Sequence, residues 1–297
     1  MIMKKEIVFM AAFLFTIGAY ANILRVNNVD SSAPYASIAA AVIAAVDGDT
    51  IMVEGSTVDY DETTINKRLV ILGPGYWLRE NGITTESAQS ANINGITTTE
   101  GGTVIMGIHV WGGFRVEGAK TVITRCRLDE GVSIAKGINN CVIHQCFIGG
   151  DVGSGYDHSY YHQITNNIFG AMNCKGIGDS YIAYNTSYTH WGESFWNSAN
   201  CKIEKNIFYT NDINRGDGNT IQDNYIVGES YQDIKTDKDV RDTKLPSAAD
   251  GFGAFAGDDP YRISGIPAGP MIEELTIPTS VEEGGTMEVT IKLGSAK

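Results

Sequence analysis

The sequence predicts an all-β chain: a single-stranded parallel β-helix, or solenoid, of about nine coils with an N-terminal capping helix and a β-rich C-terminal cap. Two observations carry this. Isoleucines at 123, 143, 164, 182, 203 and 221 recur at steps of 20, 21, 18, 21 and 18 residues, the length of one β-solenoid turn. Three residues after each stands Cys126, Cys146, Asn167, Asn185, Asn206 or Asn224. No run between them sustains a 3.6-residue apolar period, which argues against a helical repeat.

One such coil is too short to bury its apolar side alone. Stacking at about 4.8 Å pairs each strand with its equivalents above and below. The isoleucines then form an interior ladder. The asparagines form an amide ladder, each donating to one neighbour and accepting from the other. Cys126 and Cys146 continue that column as small buried thiols. The pairs in between are polar and are expected to face water: Thr124-Arg125, His144-Gln145, Thr165-Asn166, Ala183-Tyr184, Glu204-Lys205 and Gln222-Asp223. Val116, Ile134, Cys174, Trp196 and Ile213 suggest a second strand column ahead of the anchors. Thr50–Val53, Leu69–Leu72 and Val104–Met106 read as earlier coils, so residues 49–232 form a rod some 40 Å tall.

The ends need covers, because a terminal coil exposes its core and its strand edges. In residues 22–48, Ser37 can cap a helix to Val46 whose Ile38, Ala41, Val42, Ala45 and Val46 share a face. Residues 233–250 are charged and polar, which suits a linker. Residues 251–297 form a C-terminal cap or small β unit. There Thr286–Leu293 alternates as an amphipathic strand, with Leu275-Thr276-Ile277 as its expected partner.

Residues 1–21 read as a secretory signal: Lys4-Lys5, an apolar run from Ile7 to Ala19, and Ala19-Tyr20-Ala21 as a small-x-small cleavage site. No cysteine follows the site, so the expected destination is the cell surface, the periplasm or the medium, without a lipid anchor. Cleavage removes Lys4, Lys5 and Glu6, a net +1, and takes the formal charge from −13 to −14. An acidic exterior disfavours nucleic acid, and no later run is long enough to insert in a membrane. The five cysteines fall in regular, interior columns. Only Cys126 and Cys146 are placed to bridge, and buried free thiols are the main expectation.

Tyr35–Ile38, Asp47–Val53, Thr64–Lys67 and Val70–Gly75 resemble the opening of pectin-lyase-like right-handed parallel β-helix proteins. The Asn-bearing repeats from 122 to 226 look like that superfamily's generic coil. Gly253–Gly257 with Pro260–Pro267 is similar to endings of secreted β-helix proteins of Bacteroidota-type bacteria. The resemblance implies a right-handed coil. It implies no particular activity, because the catalytic patterns of polygalacturonases, pectin methylesterases and pectate lyases are absent from this chain.

Two aromatic-rich excursions interrupt the coils. One holds Tyr156, Asp157, His158 and Tyr161; the other holds Tyr188, His190, Trp191 and Glu193. Counting from the anchors puts Trp111, Asp129, Gly149, Gly170, Tyr188 and Tyr209 in one column. The two excursions are therefore expected together near Trp111, as a groove in which sugar rings stack on aromatic faces and meet carboxylates. For chemistry, His158, Tyr161 or His190 could act as base with Arg115 or Arg215 as cation, or Asp157 and Glu193 as a hydrolase pair. Asp212-x-Asn214-x-x-Asp217-Gly218 is out of register for a calcium loop and reads first as a turn, with calcium secondary; no other cofactor is expected. The sequon at Asn185 belongs to the interior ladder. The favoured expectation is a secreted protein that recognises or scaffolds polysaccharide or surface glycan without catalysis. The alternatives are a polysaccharide lyase or glycoside hydrolase with an atypical site, and a structural surface or adhesion protein.

Overall fold

A computed structural model describes residues 21–82, 89–189, 193–228, 231, 233–267, 270–276 and 290–295. The signal segment 1–20, His190 and Trp191 fall outside them.

The chain winds as a parallel β-solenoid of about eight turns, of the kind seen in right-handed β-helix proteins. Its first sheet has ten strands, from Ile23–Val26 to Thr220–Ile221; the second has eight, from Asn92–Ile93 to Tyr225–Ile226. The third has six, from Thr63–Ile65 to Cys174–Lys175. Within the first sheet, Ile51, Ile71, Ile105, Ile123, Ile143, Ile164, Ile182, Ile203 and Ile221 pair in one unbroken register. All but the partly buried Ile221 are sealed from solvent. A slip of one residue would turn this whole set outward, so burial itself specifies the register.

The corner between the first and second sheets explains the Asn column. Gly107, Arg125, Gln145, Asn166, Tyr184, Lys205 and Asp223 stand there at φ of 51° to 70°. This left-handed bend costs a non-glycine residue roughly 1–2 kcal/mol. The ladder offsets it. Asn185 donates its amide to Asn206 Oδ1 at 3.0 Å, and the same oxygen accepts the Asn185 backbone N–H at 2.9 Å. Asn167 on Asn185, and Asn206 on Asn224, repeat both bonds. Cys126 and Cys146 occupy the column as free thiols, with no bridge between them; all five cysteines are free and buried.

The corner pairs do not all face water, contrary to expectation. Arg125, Gln145 and Asn166 are buried because the C-terminal segment 253–267 runs back along this corner as a strap. Gln145 Nε2 donates to Asp259 Oδ1 (2.8 Å) and Pro260 O (2.7 Å), and Asn166 Nδ2 to Ala254 O and Ala256 O. Gly253 N–H reaches Lys205 O at 2.8 Å. A Cβ on Gly253 would meet Thr186 Oγ1 at 2.5 Å, so this approach requires glycine.

Of residues 251–297, expected as a C-terminal cap or small β unit, the first part is this strap. Residues 251–267 cover a side of the rod instead of its end, and Ile213, Ile221 and Ile226 of the last coil remain partly exposed. Residues 233–250 include a short helix, Asp237–Asp242, that buries Val240 and Asp237 against the solenoid. Together, 231–267 and the outer face of the second sheet build a second apolar core from Tyr76, Phe147, Ile168, Ile207, Tyr231, Val240, Ala254 and Tyr261. Farther on, Pro270–Thr276 and Thr290–Ser295 pair antiparallel with Leu275 opposite Ile291.

At the other end the capping helix spans Ile38–Ala44, and Ser37 Oγ accepts from Ala40 N–H. Ile38, Ala41, Val42 and Ala45 close the lumen, whereas Val46, expected on the same face, is exposed because the helix has already ended. Lys67 Nζ donates to the carbonyls of Val42, Ile43 and Ala45, satisfying the helix C-terminus with a cation.

Candidate functional site

The outer face of the third sheet is the first site to consider. Parallel register stacks Thr64, Thr97, Arg115, Ser133, Gly153 and Lys175 in one outward column. Its cations are paired at the edges: Arg115 Nε to Glu117 (2.6 Å), Lys175 Nζ to Asp151 (2.7 Å). Trp111 lies on the flank toward the second sheet, 43 % exposed. The column predicted with it holds: Asp129 N–H bonds Val110 O, Gly149 N–H bonds Leu128 O, and Gly170 N–H bonds Ile148 O.

The opposite flank, toward the first sheet, carries Tyr156, Asp157 and His158. Tyr156 is 88 % exposed and meets Trp196 edge-to-face, with centroids 5.0 Å apart. Asn197 Nδ2 pins the backbone there by donating to Gly155 O and Tyr156 O. His158 stacks on Tyr160 at 6.1 Å, and Tyr160 lies beside Tyr161, itself exposed. Asp157 is paired with Lys136 at 3.0 Å. Tyr156, Asp157 and His158 therefore face Trp111 across the third sheet; they do not share its corner.

Two expected members turn away. Tyr188 packs toward the second core, its ring 5.7 Å from Phe147. Glu193 points into the lumen, where Ser187 Oγ donates to it at 2.6 Å and Tyr209 N–H at 3.0 Å. Burial pushes its carboxyl above the usual range, against these hydrogen bonds. Asp157 and Glu193 cannot act as a hydrolase pair, since one faces solvent and the other the interior. His158, half-exposed, stacks on Tyr160, and its chain neighbour Asp157 is already paired with Lys136. Among these residues, no three His, Cys, Asp or Glu side chains converge on a metal position, and Asn214 Oδ1 instead closes a turn by accepting Gly216 N–H.

A second site escaped the sequence reasoning. On the outer face of the second sheet, Asn92, His109 and Arg127 pair in one column. They floor a cleft of about 240 Å³ whose wall is the turn Tyr76–Glu80, with Gln89 and Ser90 at its rim. Arg127 lies over the Trp77 ring, 4.2 Å from its centroid, and donates through Nε and Nη2 to Asp129. His109 Nε2 meets Asp129 Oδ2 at 2.9 Å, and its Nδ1 meets Asn92 Oδ1 at 3.0 Å. Burial raises the Asp129 carboxyl, but the bonds from His109 and Arg127 outweigh it and hold it below the ordinary range.

The wall is fixed from far away in sequence. Tyr76 N–H bonds Ser264 O, and the Tyr76 and Tyr261 hydroxyls meet. Fully buried Asp237 accepts from Ser264 N–H (2.7 Å), Asn81 Nδ2 (2.7 Å) and Tyr261 Oη (3.1 Å). One signal could have revealed this flank. The outward column changes from Asn92, His109 and Arg127 to Phe147, Ile168, Thr186, Ile207 and Tyr225. Apolar residues at outward positions require a cover, and its edge is where a cleft opens.

Comparison with known protein families, curated proteins and solved structures finds no match to this chain.

Proposed function

We propose that this chain is a secreted parallel β-helix protein of the pectin-lyase-like kind that recognises or scaffolds polysaccharide at the cell surface, without catalysis. The observation that carries this reading is the third-sheet face. Exposed aromatic rings, Trp111 on one flank and Tyr156 with Trp196 on the other, border a polar floor of threonine, serine and paired charges. Such a face stacks the apolar side of a sugar ring and hydrogen-bonds its hydroxyls, repeatedly along the rod. Its charged groups are already paired, which suits binding better than proton transfer.

The test is retention of the purified mature chain on a panel of pectins, alginates, glycosaminoglycans and neutral glycans, with and without calcium, while unsaturated uronates and new reducing ends are followed. Binding to at least one glycan, reduced on the order of tenfold by Tyr156→Ala with Trp196→Ala, supports the reading. Sustained product formation would replace it with the lyase or hydrolase alternative. No binding and no product would favour the structural one.

A further inference from the structure

We propose that the two ends of the rod are complementary faces through which copies of this chain stack head to tail. The proposal rests on the ends alone and stands independently of the third-sheet reading.

The capping helix supplies the head. A cap at the end of a solenoid ordinarily turns a polar outer face to solvent. The helix Ile38–Ala44 carries no polar or charged side chain at all. Its inward set, Ile38, Ala41, Val42 and the following Ala45, closes the lumen. Its outward set is Ala39, Ala40, Ile43 and Ala44, with Val46 just beyond. All five are exposed, Ile43 at 79 %. The helix therefore offers the outside the same kinds of side chain that it packs against its own lumen. A helix that is apolar all round is ordinarily a buried one.

The tail is an open lumen. Ile221 continues the column of Ile182 and Ile203, and Ile226 pairs with the buried Phe208. Ile213 pairs with the lumen-facing Glu193. All three are inward positions, yet Ile226 is 47 % exposed and the other two are half-buried, because no coil lies above them among the described residues. Thr220–Ile221, Tyr225–Ile226 and Ile213–Asn214 are also the last strands of their sheets, each with a free backbone edge. Such edges and such a core call for a cover. The segment that follows the last coil, 231–267, runs back along the flank instead of over this end.

A second copy is the occupant that fits. Its head has the composition that seals a lumen of this cross-section, since the inner face of the same helix does so within each copy. The coils step by 18 to 21 residues, so an end-on contact approaches the roughly 20–30 residues a side of a standard interface. The contact joins two different faces. Each copy added leaves one head and one tail free, and the assembly stays open-ended.

Sedimentation velocity of the mature chain tests this. The mean mass should rise with concentration and pass beyond the dimer. Ile43→Lys spoils only the head and Ile226→Lys only the tail, and each alone should associate at least about tenfold more weakly than wild type. Mixed in equal amounts, they should form a dimer and nothing larger, because one intact tail meets one intact head. Both positions are exposed, and melting checks each fold. Hydrogen exchange of the wild-type chain needs no variant: protection should grow with concentration at 38–46 and at 220–226 together, and not in the third sheet. A chain that stays monomeric, a mass that stops at the dimer, a folded single variant that associates like wild type, a mixture that stays monomeric, or protection gained at one end alone would overturn the proposal.

Discussion

The solenoid has two apolar cores built on opposite logic. In the lumen, each buried isoleucine pairs with its equivalent 18 to 34 residues away, and the same contact repeats in every turn. On the flank, Tyr76 meets Tyr261, Asn81 meets Asp237, and Gln145 meets Pro260, once each and across more than a hundred residues. The lumen is a sum of nearest-neighbour interfaces. The flank is a single closure that holds only when the strap and the helix Asp237–Asp242 both dock. Repetition makes the lumen robust, and the singular flank is where the chain shapes a cleft. Local opening is therefore expected to start at the strap while the ladders stay protected.

The largest effect should come from breaking the repetition. Asn206→Leu leaves Asn185 N–H without its acceptor, removes one of the acceptors of Asn185 Nδ2, and takes from Asn224 Oδ1 its side-chain donor while the backbone N–H of residue 206 remains. A loss of about 4 kcal/mol is expected in urea unfolding. A wild-type midpoint would show that the amide column does not hold the corner.

Acid should attack the lumen next. His162 is buried, accepts Cys141 N–H at Nδ1, and has no partner for Nε2; burial lowers its pKa to about 4. The unfolded chain protonates near 6.5, so between these values the unfolded state binds more protons. Stability is full above about pH 6.5 and falls toward pH 4, by up to about 3 kcal/mol. His162→Ser, the residue that Ser180 supplies one coil on, should flatten that slope. An unchanged slope would mean that other groups set it.

The flank should yield separately. Asp237→Ala strips Ser264 N–H, Asn81 Nδ2 and Tyr261 Oη of their acceptor, for a cost of about 2 kcal/mol. Hydrogen exchange should rise along 253–266 and not in the first sheet. Simultaneous loss of protection in both would make the two cores one cooperative unit.

The smallest change is a gain. The Glu193 carboxyl is raised by burial, so the folded state keeps its proton longer and stability falls as pH climbs past the ordinary carboxylate range. Glu193→Gln should stabilise slightly at pH 7, with the difference vanishing in acid below that range. Destabilisation at pH 7 would indicate that the ionised carboxylate is needed in the lumen.

What could be read ahead of the structure follows from these two logics. The isoleucine register, the Asn and Cys column, the capping helix and the 111–129–149–170 column were legible because each is local and periodic. Missed were the strap over Gln145 and Asn166, the burial of Glu193, and the His109–Asp129–Arg127 cluster. Glu193 sits in an irregular turn, and polar residues in such turns are ordinarily solvated. His109 and Arg127 sit in a column whose position is periodic but whose cover is not.

By itself the sequence determined the coil: its period, its interior residues and its amide-lined corner, since a step near 20 residues with one apolar anchor leaves a parallel stack as the way to bury it. Only the tertiary structure decided which outward faces stay open. The strap's path depends on single contacts between distant segments, such as Asp237 with Asn81 and Ser264, and no repeat announces them. The second sheet is covered below Arg127 and open above it for that reason, while the third sheet keeps its outward column and its two aromatic flanks in solvent.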